Sequence, residues 1–204
     1  MQTQAPKNAG SRISEARRSD LIEATIQSLA EYGIAGTTIS TICAASNTSR
    51  GLIAHYFENK NELMAAALRH LYDDVSRPVH EEISKPGLTA EQRLKKLPVV
   101  LFSNSVFSER NRSAFLSLWH ETRYNDIVRE ANQELYRGYV ARMRRLFEDA
   151  AQERQISIDS HAAAIDFIGL SDGMWLGMSI HDTLISRRHA VTSCLRLIDW
   201  VLAG

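Results

Sequence analysis

Four prolines, two cysteines and no apolar run near membrane-spanning length leave this sequence of 204 residues with few specialised devices. Cys43 and Cys194 sit among apolar neighbours and make no pair spacing of interest, so neither a disulfide framework nor a cysteine metal site is indicated. None is needed, since a chain this long buries roughly 70% of its extended surface. Without about 18 consecutive apolar residues a membrane helix is not expected. Residues 1–16 are polar and lack the apolar stretch of a secretory signal, which makes a soluble cytoplasmic protein the expectation. Catalytic signatures are also missing. The seven histidines form no ligand spacing, and His120-Glu121 is an adjacent pair whose members point different ways from a helix. There is no His-Glu-x-x-His, Cys-x-x-Cys, phosphate-binding glycine loop or serine elbow, so no catalytic residue, metal or cofactor is expected. Net charge is +0, which gives no overall case for nucleic acid.

Charge distribution says more than its sum. Residues 1–18 carry Lys7, Arg12, Arg17 and Arg18 against Glu15 alone, a patch able to track phosphates or to serve as a solvated tail. Strand-length alternation of β-branched residues is almost absent. Apolar residues recur at threes and fours instead, as in Leu21, Ile22, Ile26 and Leu29. The fold class is all-α, with about nine helices expected near 14–32, 39–45, 50–56, 60–84, 89–105, 109–122, 125–154, 160–182 and 187–202. Asn59 and Glu62 supply a capping pair for the fourth, and Ser84-Lys85-Pro86-Gly87 stops it. Pro98 predicts a kink or displaced boundary in the fifth. Short helices on tight turns give way to long ones near residue 59. That divides the chain into 1–59, an arm with a helix-turn-helix, and 60–204, a larger helical unit.

The sharpest local pattern is TISTICAASNTSRGLIAHYF, residues 38–57. Ile39 and Ile42 share one helix face, Asn47 tolerates a left-handed turn, and Ser49 can cap the helix opening at Arg50. Seven residues do not hold a helix alone, so the first helix must brace it. Such a helix fits a major groove with its first turn on base edges. Arg50 would then pair with guanine or phosphate, while Gly51 lets the backbone come close. Thr37, Thr38, Ser49, Tyr56 and Lys60 are placed to hold phosphates, Arg17 joins them from the basic start, and His55 either contacts the DNA backbone or fills the junction. The plainer alternative is a helical hairpin without DNA, since Asn, Ser and Thr are ordinary turn residues.

The run YGIAGTTISTICAASNTSRGLIAHYFENKNEL resembles the TetR family of one-component repressors through Gly33, Thr37-Thr38, Ile39, Ile42, Ser49, Gly51, His55-Tyr56-Phe57, Lys60 and Leu63. Similarity extends to the BetI-like, choline-responsive branch through GLIAHYFENKNELMAAALR and Ala90–Leu94, and more loosely through Ala114–Trp119 and Asp172–Leu176. This resemblance implies three N-terminal helices that bind a double-stranded operator, followed by a ligand-binding and dimerisation unit. Asn47 replaces the family's usual turn glycine. Ala54 replaces a common aromatic and removes one customary phosphate contact. Sensing of choline or a related quaternary ammonium compound would follow. Alternatives are a regulator of an unrelated catabolic or efflux operon, or one that needs no ligand.

Within the larger unit, Gly169, Gly173 and Gly177 recur at intervals of four, at a helix-propensity cost of about 3 kcal/mol in all. The cost suggests close approach along that face. With Ile165, Cys194, Ile198 and Val201, the glycines are the expected face of a homodimer seam built from the last two helices, as the resemblance implies, against the alternative of a plain internal core. Phe102, Phe107, Phe115, Trp119, Tyr124, Met174, Trp175 and Met178 are candidates for an effector pocket, since indole and phenol faces hold quaternary ammonium groups. Glu121 or Asp172 would supply charge if turned inward. Each of these side chains has an ordinary place in a core as the alternative.

Overall fold

Residues 8–181 and 183–203 are described in the computed structural model; Lys7 of the basic start lies outside them. Among the described residues there are nine helices and no strand. They are α1 (Asn8–Gly36), α2 (Ile39–Ser46), α3 (Arg50–Tyr56), α4 (Lys60–Ile83), α5 (Ala90–Leu101), α6 (Glu109–Glu121), α7 (Asp126–Arg154), α8 (Ser160–Ile180) and α9 (Arg187–Ala203). None of the helices is long and apolar enough to cross a membrane.

Two boundaries depart from the periodicity. α1 begins at Asn8 rather than near 14, because Arg12, Glu15, Ala16, Arg17 and Arg18 are competent helix formers that carry on without an apolar stripe. Its other end is set by Gly33, whose φ of 61° and ψ of −168° are open almost only to glycine. α5 ends at Leu101, not 105. Pro98 is accommodated in its buried last turn, and Phe102 N–H closes on the Pro98 carbonyl at 3.1 Å.

Leu21, Ile26 and Leu29 of α1 are fully buried, as are Ile42 of α2 and Leu63, Leu68 and Leu71 of α4. Short α3 is held by Ile53 and Phe57, both nearly inaccessible, and the Arg18 guanidinium lies 5.0 Å from the Phe57 ring. For α4, the Asn59 side chain accepts the Glu62 N–H at 3.0 Å. Glu62 returns to the Glu58 N–H at 3.1 Å, one residue before the usual partner of a capping box.

Because α6 lies along α1, the first helices and the later bundle share one core. Ser117 Oγ donates to the Leu29 carbonyl at 3.3 Å. Arg110 of α6 reaches Glu23 of α1 and lies 3.7 Å from Asp74 of α4. His70 of α4 is 2.8 Å from the same Glu23. These four side chains form a charged clasp where three helices meet.

Candidate functional site

The turn between α2 and α3 is braced from within. Thr38 opens α2 with a reciprocal cap: Thr41 N–H donates to Thr38 Oγ1 at 3.1 Å, and Thr38 N–H donates to Thr41 Oγ1 at 2.8 Å. Asn47 occupies the left-handed region at φ 50°, ψ 46°, as expected of the residue standing at the turn. Thr48 N–H then closes on the Cys43 carbonyl at 3.0 Å. Ser49 Oγ accepts Leu52 N–H at 3.4 Å and caps α3. The outcome is an exposed first turn bearing Ser49, Arg50 and Gly51.

Arg50 donates from Nη2 to Ser40 Oγ at 2.6 Å, so in the free protein α2 holds the guanidinium at the surface. A Cβ on Gly51 would meet only Ser49 Oγ, at 3.8 Å, so nothing inside the protein demands glycine there. His55 is exposed and Tyr56 half-buried, their rings edge to face at 4.9 Å. Lys60 opens α4 beside them, and Arg17 is exposed with Asp20 at 3.7 Å. Thr37 is a correction. Its hydroxyl is completely buried, donates to the Gly33 carbonyl at 2.7 Å and accepts from Ser28 at 3.2 Å, which leaves nothing for phosphate. Ser40 carried no signal in the sequence, since its partner Arg50 lies on the next helix.

A cavity of about 380 Å³ opens among α4, α5, α6, α7 and α8. Phe115, Trp119 and Trp175 of the expected aromatics line it, together with Tyr72 and Tyr139, which periodicity did not single out. Tyr136 and Tyr139 stand three apart on α7 and so share a face, which is the signal that was available. Phe115 sits 5.6 Å from Trp119, 5.5 Å from Trp175 and 5.3 Å from Tyr72, ring centre to ring centre. The other candidates are not in the lining. Phe102 and Met178 are buried in the core, Met174 is half-buried, and Tyr124 is 73% exposed beside His120. Phe107 packs on Trp175 at 4.8 Å from outside the lining.

Of the two acids, Asp172 lines the cavity and Glu121 does not. Burial pushes the Asp172 carboxyl up to about 6, against the opposing hydrogen bond donated by the Tyr136 hydroxyl. Burial likewise raises the phenols of Tyr72, Tyr136 and Tyr139, so these three rings stay neutral beside the carboxyl.

The seam candidates divide in two. Ile165, Gly169 and Gly173 face outward on α8, with Leu176 and Ile180 along the same side. A Cβ on Gly169 or Gly173 would meet no atom within 4 Å, whereas one on Gly177 would lie 2.6 Å from Ile185 Cδ1. Close approach within the protomer therefore accounts for Gly177 alone. Cys194 and Ile198 are corrected: both are fully buried in a stripe with Ala190 and Leu202 against the protomer's own core. Val201 is half-buried, and Trp200 is 72% exposed on α9's outer side.

Residues 21–67 match the profile of bacterial regulatory proteins of the tetR family, and residues 90–203 that of the BetI-type transcriptional repressor C-terminal domain. An HTH-type transcriptional regulator BetI from Burkholderia lata is 27% identical over 193 residues, covering 94% of this chain and 97% of its own. A crystal structure described as a transcriptional regulator from Pseudomonas aeruginosa PAO1 superposes with a TM-score of 0.83 at 28% identity, over 93% of this chain and 92% of its own. Another, from Saccharomonospora viridis and in complex with choline, superposes with a TM-score of 0.77 at 22% identity, over 91% and 96%.

Proposed function

Because the chain belongs to the TetR family of bacterial regulators and carries a BetI-type repressor C-terminal domain, we propose that it is a homodimeric repressor of a palindromic operator, released by a small cation. Its relatives are transcriptional regulators rather than enzymes. Residues 1–59 bind DNA, and 60–204 bind the effector and the second protomer. The observation that carries this reading is the exposed first turn of α3, capped by Ser49 and braced by α1 and α2. On binding, Arg50 leaves Ser40 for a guanine edge, and Gly51 lets the helix seat deeply. Thr38, Ser49, His55, Tyr56, Lys60 and Arg17 hold phosphates around it. One short helix reads few bases, so two copies engage half-sites about one helical turn apart.

The outer face of α8 supports the dimer. Ile165, Leu176 and Ile180 are exposed there beside two glycines that no neighbour in the protomer requires, with Trp200 of α9 also open to solvent. A two-fold pairing through these helices buries that surface and uses the close approach the glycines permit.

For the effector, choline or another quaternary ammonium compound fits the cavity chemistry. Trp119, Trp175, Tyr72 and Tyr139 supply ring faces, and Asp172 supplies a counter-charge. Choline in the Saccharomonospora viridis structure supports the same class. Release requires that the effector prefer the geometry in which the reading heads are misplaced.

Band shifts with duplexes selected from a random pool test the DNA reading. Arg50→Ala is expected to lower operator affinity and relax preference at one base position, and Lys60→Ala to weaken all duplexes alike. Unchanged specific binding by Arg50→Ala would remove its assigned role.

A further inference from the structure

The cavity has a second charged group that a simple cation does not use. Arg142 of α7 lines it next to Tyr139. Of the two arginines in the lining, Arg77 has Asp74 at 3.5 Å. Arg142 has none among the described residues, and its helical neighbours 138, 139, 145 and 146 are Gly, Tyr, Arg and Leu. Its guanidinium folds back along α7, where a Cβ on Gly138 would meet Nη1 at 3.3 Å. Glycine at 138 leaves room for that fold. Asp172, which accepts from Tyr136, lines the same cavity as Arg142 and Tyr139, and the two charged groups form no ion pair with each other among the described residues.

We propose that the effector is a zwitterion: its quaternary ammonium group lies in the aromatic cage beside Asp172, and an anionic group a few bonds away, carboxylate or phosphate, is received by the Arg142 guanidinium. The inference rests on the cation reading of the cavity. A purely cationic ligand satisfies Asp172 and leaves Arg142 repelling it, whereas a zwitterion satisfies both ends. Arg suits the task because its planar fork matches carboxylate and phosphate oxygens in pairs. Arg77, also in the lining, has its charge already met by Asp74.

Calorimetry on the full-length protein with choline, carnitine and phosphocholine tests it. One of the two zwitterions is expected to bind about three- to tenfold more tightly than choline, and which one distinguishes carboxylate from phosphate. Arg142→Gln is expected to weaken that zwitterion while strengthening choline, opposite shifts that a merely structural residue does not produce. Gly138→Ala, which crowds the guanidinium, should move both in the same directions by less. Choline binding as tightly as both zwitterions to the unaltered protein overturns the zwitterion inference and leaves the cation reading intact. No binding of any of the three at millimolar concentration overturns both.

Discussion

A carboxyl among indoles and phenols is costly to ionise, and Asp172 carries that cost in the cavity wall. Its folded pKa of about 6 lies above the ordinary 3.8 because burial outweighs the Tyr136 hydrogen bond. Between those two values the folded protein keeps a proton that the unfolded chain has released. Stability contributed at this residue therefore falls as pH rises through that window, and the penalty is fully present above it. A cationic effector reverses the sense, since it favours the ionised form. Choline affinity is expected to rise about tenfold from pH 5 to pH 7 and to level off above, as the carboxyl becomes ionised. Asp172→Asn should bind choline weakly and with a flattened profile. The same variant should melt at higher temperature near pH 7, since it removes a buried charge. Calorimetry across pH and thermal unfolding read both. A profile as steep in the variant as in the parent would remove Asp172 from the site. Which acid faced the cavity was not legible in the sequence. Glu121 and Asp172 both lie on apolar helices, and only packing turns one inward.

At the scale of elements, α8 poses the sharper question, because three glycines weaken one helix and only one of them is used within the protomer. Gly177 admits Ile185, but Gly169 and Gly173 face open space. A Cβ at 173 meets nothing within 4 Å in the monomer, and a side chain there gains up to about 1 kcal/mol of helix propensity. Gly173→Arg is expected to fold with the parent's helicity, to sediment as a monomer and to lose most operator affinity. A variant that stays dimeric would move the seam away from α8. Most elements were readable from spacing, since the apolar positions of α1, α4, α6 and α7 recur on one face. What spacing could not say is which of two apolar faces turns in. On α9 the series Ala190, Cys194, Ile198 and Leu202 proved internal, leaving Trp200 outside. Nor could it show that Thr37 spends its hydroxyl on Gly33 and Ser28, since those bonds depend on where the chain turns after Gly33.

At the scale of the whole molecule, the reading head and the cavity are joined by two helices rather than one. α4 opens at Lys60 beside the head and lines the cavity through Tyr72, Val75 and Val79. α6 adds a second route that the sequence did not suggest. It carries Phe115 and Trp119 on the cavity wall, Ser117 on the Leu29 carbonyl, and Arg110 in the clasp with Glu23 and Asp74. On the proposed function, an effector that pushes Trp119 would move Arg110 with it, and Arg110 holds α1, against which the short α3 is braced. The clasp would then let cavity occupancy bias the head, and coupling is the quantity it should govern. Arg110→Met keeps the apolar stem and removes the charge. It is expected to leave choline affinity within about twofold of the parent while the ratio of operator affinities without and with choline falls at least threefold, or about 0.6 kcal/mol of coupling. Glu23→Gln, altering the other side of the clasp, should reproduce the loss, and combining the two should add little, because each breaks the same contact. Full coupling in both single variants would leave α4 alone to carry the signal and make the α6 clasp a purely structural tie.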